Sequence, residues 1–153
     1  MNELSRREPS RREEMSLSGA ALRGAPWKAA AITGGGVAAI SYAIGVVLPG
    51  DASLGSAAGF GLSLFFLVSS IGAVRNAVAP DRVTDRARAW ARENPWRFAL
   101  WPAAATAALN YPLQLVTGAE GPFGAIWDSL WRALFVLVVV GVAVAATRKR
   151  GPR

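Results

Sequence analysis

Residues 29–74 read AAAITGGGVAAISYAIGVVLPGDASLGSAAGFGLSLFFLVSSIGAV, a run whose single charge, Asp51, lies near its middle. Lys28 precedes the run and Arg75 follows it. A bilayer's hydrocarbon core is about 30 Å thick and a helix rises ~1.5 Å per residue, so about 20 uninterrupted apolar residues cross it. The run therefore holds two crossings, 29–49 and 53–74, turned back at Gly50-Asp51-Ala52.

The pattern recurs downstream. Between Arg97 and Glu120 lie 22 uncharged residues, which place a third span at 98–117. The last block, Ala133–Thr147, has 15 uncharged residues, too few alone, and becomes a span of 124–147 by taking in Asp128 and Arg132. The expected fold is an all-α integral membrane protein with four transmembrane helices. A soluble bundle of the same length would give each helix a polar face, and these have none.

Charge sets the orientation. Arg6, Arg7, Arg11, Arg12, Arg23 and Lys28 precede the first span, and Arg75, Arg82, Arg86, Arg88, Arg92 and Arg97 fill the middle loop. Arg148, Lys149, Arg150 and Arg153 form the tail, whereas Gly50-Asp51-Ala52 and Ala119-Glu120-Gly121 carry only acid. Positive loops stay inside, so a multi-pass cell-membrane protein with both termini cytoplasmic is expected. This topology accounts for the net charge of +7 without a nucleic-acid partner. Ser5-Arg6-Arg7-Glu8 does not make a twin-arginine export signal, because acidic residues follow it and no small-residue cleavage site ends the apolar run. Arg11-Arg12-Glu13-Glu14 also fits a translated ribosome-binding site, which would make Met15 the start.

With no Cys and no His among 153 residues, thiolate nucleophiles, imidazole bases, disulfides and ordinary zinc sites are excluded. No enzyme, metal or cofactor is expected.

Sliding the chain on itself by 69 positions aligns Arg23 with Arg92, Pro26-Trp27-Lys28 with Pro95-Trp96-Arg97, Tyr42 with Tyr111, Asp51 with Glu120 and Gly72 with Gly141. Eleven of the fifty pairs from Arg23 to Gly72 are identical. The rare residues coincide with equivalent points of the topology, which predicts two tandem hairpins related as a parallel repeat. The division is then a disordered cytoplasmic tail over 1–22, a first hairpin over 23–74, a basic cytoplasmic loop over 75–97, a second hairpin over 98–147 and a basic tail over 148–153. In the loop, Val83, Ala87 and Trp90 recur at helical spacing among arginines, predicting an amphipathic helix at the interface.

Three sets of residues follow. Gly34, Gly35, Gly36, Gly55, Gly59 and Ser63 are candidates for close helix packing, since small residues let backbones approach. Trp27, Lys28, Trp96, Arg97, Arg82, Arg86, Arg88, Trp90 and Arg92 are candidates for the bilayer surface and its anionic headgroups. Ser41, Tyr42, Asn110, Tyr111, Gln114, Asp128 and Arg132 fall in the outer half of the spans and are candidates for an outward-facing polar notch, widened by a kink at Pro112. Against the notch, Asp128 and Arg132 are spaced to form their own i, i+4 ion pair. The expected function is a non-catalytic membrane subunit or scaffold acting through helix faces and cytoplasmic basic segments. The alternative is an oligomeric small transporter or channel-like protein using the notch. The bilayer itself, with a homo-oligomer or a second membrane protein, completes the expected partners.

Overall fold

The structure, a computed structural model, describes residues 10–48, 53–75, 82–117 and 121–148. Among the described residues six helices follow one another: α1 (Arg11–Leu22), α2 (Trp27–Val47), α3 (Leu54–Arg75), α4 (Arg82–Glu93), α5 (Pro95–Thr117) and α6 (Pro122–Arg148). The short turns Gly50-Asp51-Ala52 and Ala119-Glu120 and the tail beyond Arg148 lie outside the described residues.

Among the described residues three helices are long and apolar enough to cross a membrane: α2, α3 and residues Pro122–Thr147 of α6. Four spans are predicted from the sequence, and α5 is the one that falls short. Its 23 residues would reach about 34 Å. Its composition is the difference, because Arg97, Thr106, Asn110 and Gln114 dilute its apolar character, and the last three are buried inside the protein. It runs as one helix through Pro102 and Pro112, with the Thr106 hydroxyl donating to the Pro102 carbonyl at 2.7 Å.

α3 is the central element. Half of its apolar stretch is buried, against 11% for α2. α5 and α6 pack along each other and on α3, whereas α2 packs on α3 alone among the described residues. The α2–α3 contact is made by glycine. A Cβ at Gly34 would lie 2.6 Å from the Gly61 carbonyl oxygen, so no side chain fits at the crossing. Gly35 and Gly36, also expected to pack, face open space. A helix buries one face, and Gly34 already occupies it.

The apolar core gathers toward one end of the bundle, where Leu67, Val74, Phe98, Val136, Val140 and Val144 meet Ala20, Ala21, Ala87, Trp90 and Ala91 of the two short helices. α1 corrects the expectation of a disordered tail through residue 22. Ser10 and Glu13 form a reciprocal capping box, the Ser10 hydroxyl accepting from the Glu13 amide and the Glu13 carboxylate from the Ser10 amide. Leu17 and Leu22 then pack on the core, and Glu14 pairs with Arg97 at 2.8 Å. Polar composition conceals the cap and an inward alanine stripe. Residues 1–9 lie outside the described residues.

α4 forms where the amphipathic pattern places it, but its inward face is not all apolar. Arg88 is buried, and its Nε donates to the Ala73 carbonyl at 3.1 Å, while Arg92 Nη2 donates to the Val74 carbonyl at 3.0 Å. The last carbonyls of a helix have no partner within it, and the negative end of its dipole favours a cation. Two arginines expected to face lipid headgroups therefore close the end of α3. Gly24 makes room, since a Cβ there would lie 2.5 Å from Arg88 Nη2.

Candidate functional site, a buried polar cluster

Four of the seven notch candidates converge. Asp128 Oδ2 accepts from Arg132 Nε at 2.6 Å, from Gln114 Nε2 at 2.8 Å and from Asn110 Nδ2 at 3.1 Å. Asn110 Nδ2 also donates to Ser129 Oγ at 3.0 Å, and Gln114 Nε2 to the Gly55 carbonyl at 3.4 Å. Asn110 and Gln114 lie one helical turn apart on α5, and Asp128 and Arg132 one turn apart on α6. The helix period thus places all four in the seam between the two helices.

The third wall is α3. A Cβ added at Gly59 would stand 2.5 Å from Asn110 Oδ1 and 2.9 Å from Arg132 Cζ, so the missing side chain is the space the guanidinium occupies. One turn away, Ser63 turns its hydroxyl back to the Gly59 carbonyl at 2.9 Å. Phe60 lies beneath the guanidinium, its ring centroid 5.0 Å from Arg132 Cζ, a cation–π contact. Small residues predicted to let helix backbones meet here admit a charged side chain instead.

Burial decides what the cluster can do. Asn110 is fully buried and Gln114 nearly so, and the side chains of Arg132 and Asp128 keep 10% and 22% of their exposure. The carboxylate is paired with a guanidinium and two amides in this low-dielectric setting, where a lone charge would be costly. Asn110 Oδ1 is buried without a partner. The arrangement ties α5 to α6 and seats both on α3. It presents no base–nucleophile pair, and no group of three acidic residues able to hold a metal occurs among the described residues.

The other candidates stand elsewhere. Ser41 and Tyr42 lie on α2, which does not reach α5 or α6, and Tyr42 is exposed. Tyr111 is half-buried on α5, and Pro112 is exposed. The 69-residue alignment puts Ser41 and Tyr42 at the level of Asn110 and Tyr111 but not on the same side of α3. Of the bilayer-surface set, Trp27, Lys28, Trp96, Arg97, Arg82 and Arg86 are exposed, whereas Arg88 and Trp90 are inside. Trp96 rests on Gly141, where a Cβ would meet its indole at 2.6 Å.

Ser129 and Phe60 join the cluster without having been foreseen. The available signal was the alignment itself, which sets Gly59 against Asp128 and Ser63 against Arg132. A small residue in one half faces a large charged one in the other. Comparison of the chain with protein families, curated proteins and solved structures gives no match.

Proposed function

We propose that the protein is a non-catalytic subunit or scaffold of the cell membrane, with four spans, cytoplasmic termini and two tandem copies of one helical unit. The observation that carries this reading is the isolation of α2. Among the described residues it packs on α3 alone, and it leaves Ala31, Gly35, Ala39 and Ala43 exposed at four-residue spacing. Such a face lets another helix backbone approach closely, and lipid tails supply no comparable van der Waals fit. No other described helix of the chain uses it.

Element order supports the duplication and extends it. A 12-residue helix followed by helices of 21 and 22 residues is succeeded by one of 12 followed by helices of 23 and 27. Shifting α1 by 69 positions brings it to 80–91, within two residues of α4, so the repeated unit takes in the short helix as well. As a fourth span, α5 would carry its amides on the face toward α6 and away from lipid, as intramembrane polar groups are usually carried. The internal pairing of the cluster favours structure over transport, since Asp128 Oδ2 already holds three donors.

Affinity capture of the tagged chain from native membranes in mild detergent, with quantitative mass spectrometry, tests this. The expected result is one different membrane protein in fixed ratio, lost on Gly35→Leu. Recovery of the chain alone as a defined oligomer, unaffected by Gly35→Leu, would overturn it in favour of a transporter-like assembly.

A further inference from the structure

Two hollows meet at Arg75, the last residue of α3. One, of about 500 Å³, is lined by Leu67, Val68, Ile71, Gly72 and Arg75, and the other, of about 190 Å³, by Arg75 with Ala143, Ala146 and Thr147 of α6. Positions 67, 68, 71, 72 and 75 recur on one face of α3, so the first hollow is a trough running along the helix. From Leu67 to Arg75 the helix rises about 12 Å, close to the ~15 Å depth of one leaflet of hydrocarbon. The trough is apolar along its length and cationic at its mouth.

Arg75 is exposed, and among the described residues its side chain makes no ion pair and no hydrogen bond. A cation at a helix's last turn ordinarily serves that helix's free carbonyls. Here Arg88 and Arg92 take up two of those carbonyls, Ala73 and Val74, and no side-chain hydrogen bond ties Arg75 to the others among the described residues. Thr147 donates its hydroxyl to the Val144 carbonyl, so Arg75 is the donor at the junction of the two hollows.

We propose that this trough holds one anionic phospholipid, its phosphate on Arg75 and an acyl chain along Leu67, Val68, Ile71 and Gly72. Charge and length both match that occupant, since a zwitterionic lipid would bring its own cation to Arg75 and a free phosphate would leave the apolar trough unused. The inference rests on α3 and α6 crossing the membrane and is independent of any protein partner on α2.

Native mass spectrometry of the full chain, titrated with equal amounts of dioleoyl phosphatidylglycerol and dioleoyl phosphatidylcholine, tests it. One phosphatidylglycerol should remain bound under conditions that strip phosphatidylcholine, and millimolar inorganic phosphate should not displace it. Arg75→Gln should weaken retention about five- to tenfold. Ile71→Trp, which fills the trough and keeps the cation, should do the same, whereas Arg86→Gln on the exposed face of α4 should not. Equal retention of both lipids, displacement by phosphate, or wild-type retention in Ile71→Trp would overturn the proposal. Monodisperse elution of each variant checks folding, and Ile71→Trp decides the question alone if Arg75→Gln does not fold.

Discussion

Replacing Arg132 by Leu removes the guanidinium from between Asp128, Phe60 and the open face of Gly59 while keeping an apolar body in the same space. The cost is set by what remains. Asp128 retains Gln114 at 2.8 Å and Asn110 at 3.1 Å but loses its charge partner at 2.6 Å, with its side chain still only 22% exposed. Breaking a buried ion pair from one side costs about 3–5 kcal/mol, and two surviving amide donors with partial exposure bring the expectation to about 2–3 kcal/mol. Adding Asp128→Asn removes the stranded charge, so the double variant should recover to within about 1 kcal/mol of the parent. Unfolding of the purified chain in mild detergent, followed by circular dichroism, gives all four corners of the cycle. A single variant within about 0.5 kcal/mol of the parent, or a double variant as unstable as the single one, would refute a structural role. Arg132 would then be free to serve a ligand.

Three further outcomes follow from the packing. Gly34→Val should cost about 1–3 kcal/mol by driving α2 off the Gly61 carbonyl, while Gly35→Val should fold normally, read by monodisperse yield after extraction. Arg88→Met should destabilise by about 1–3 kcal/mol in the same unfolding assay, because it strips the buried Ala73 carbonyl of its donor at the end of α3. Ser10→Ala should cost α1 about 1 kcal/mol and appear as faster hydrogen exchange over Arg11–Leu22, with α3 unchanged.

Membrane character was legible because charge placement is all that it requires. A run holding one acid between Lys28 and Arg75 admits few alternatives, and the helices found there differ from the predicted spans by two residues or fewer at the described ends. α1 was not legible for the opposite reason. Besides Leu17, Leu22 and the Glu14–Arg97 pair, it is held by one cap and by Ala20 and Ala21 in the core, and small inward residues leave no mark on a sequence already rich in alanine. The arginines of α4 show a further limit. Arg82 and Arg86 are exposed and Arg88 is buried two positions on, because the free carbonyls of Ala73 and Val74 form a polar target that exists only once α3 has ended beside α4.

The polar cluster was legible in half, and the missing half bears on how the two hairpins differ. Helical spacing places Asn110 beside Gln114 and Asp128 beside Arg132, but Ser41 and Tyr42 join them only through equal depth and the analogy between the copies. That analogy requires the copies to surround a common site. Instead α3 alone touches every other long helix, and α2 stands behind it. On the proposed duplication, the positions equivalent to Asp128 and Arg132 are Gly59 and Ser63, and Gly59 is where the guanidinium enters. Two identical hairpins would bring either two charged pairs or two empty faces together at this crossing. The difference between Gly59 and Ser63 on α3 and Asp128 and Arg132 on α6 makes one helix a socket and the other its plug. The second hairpin then closes on itself and on α3, while the first keeps in α2 a face that no other described helix covers.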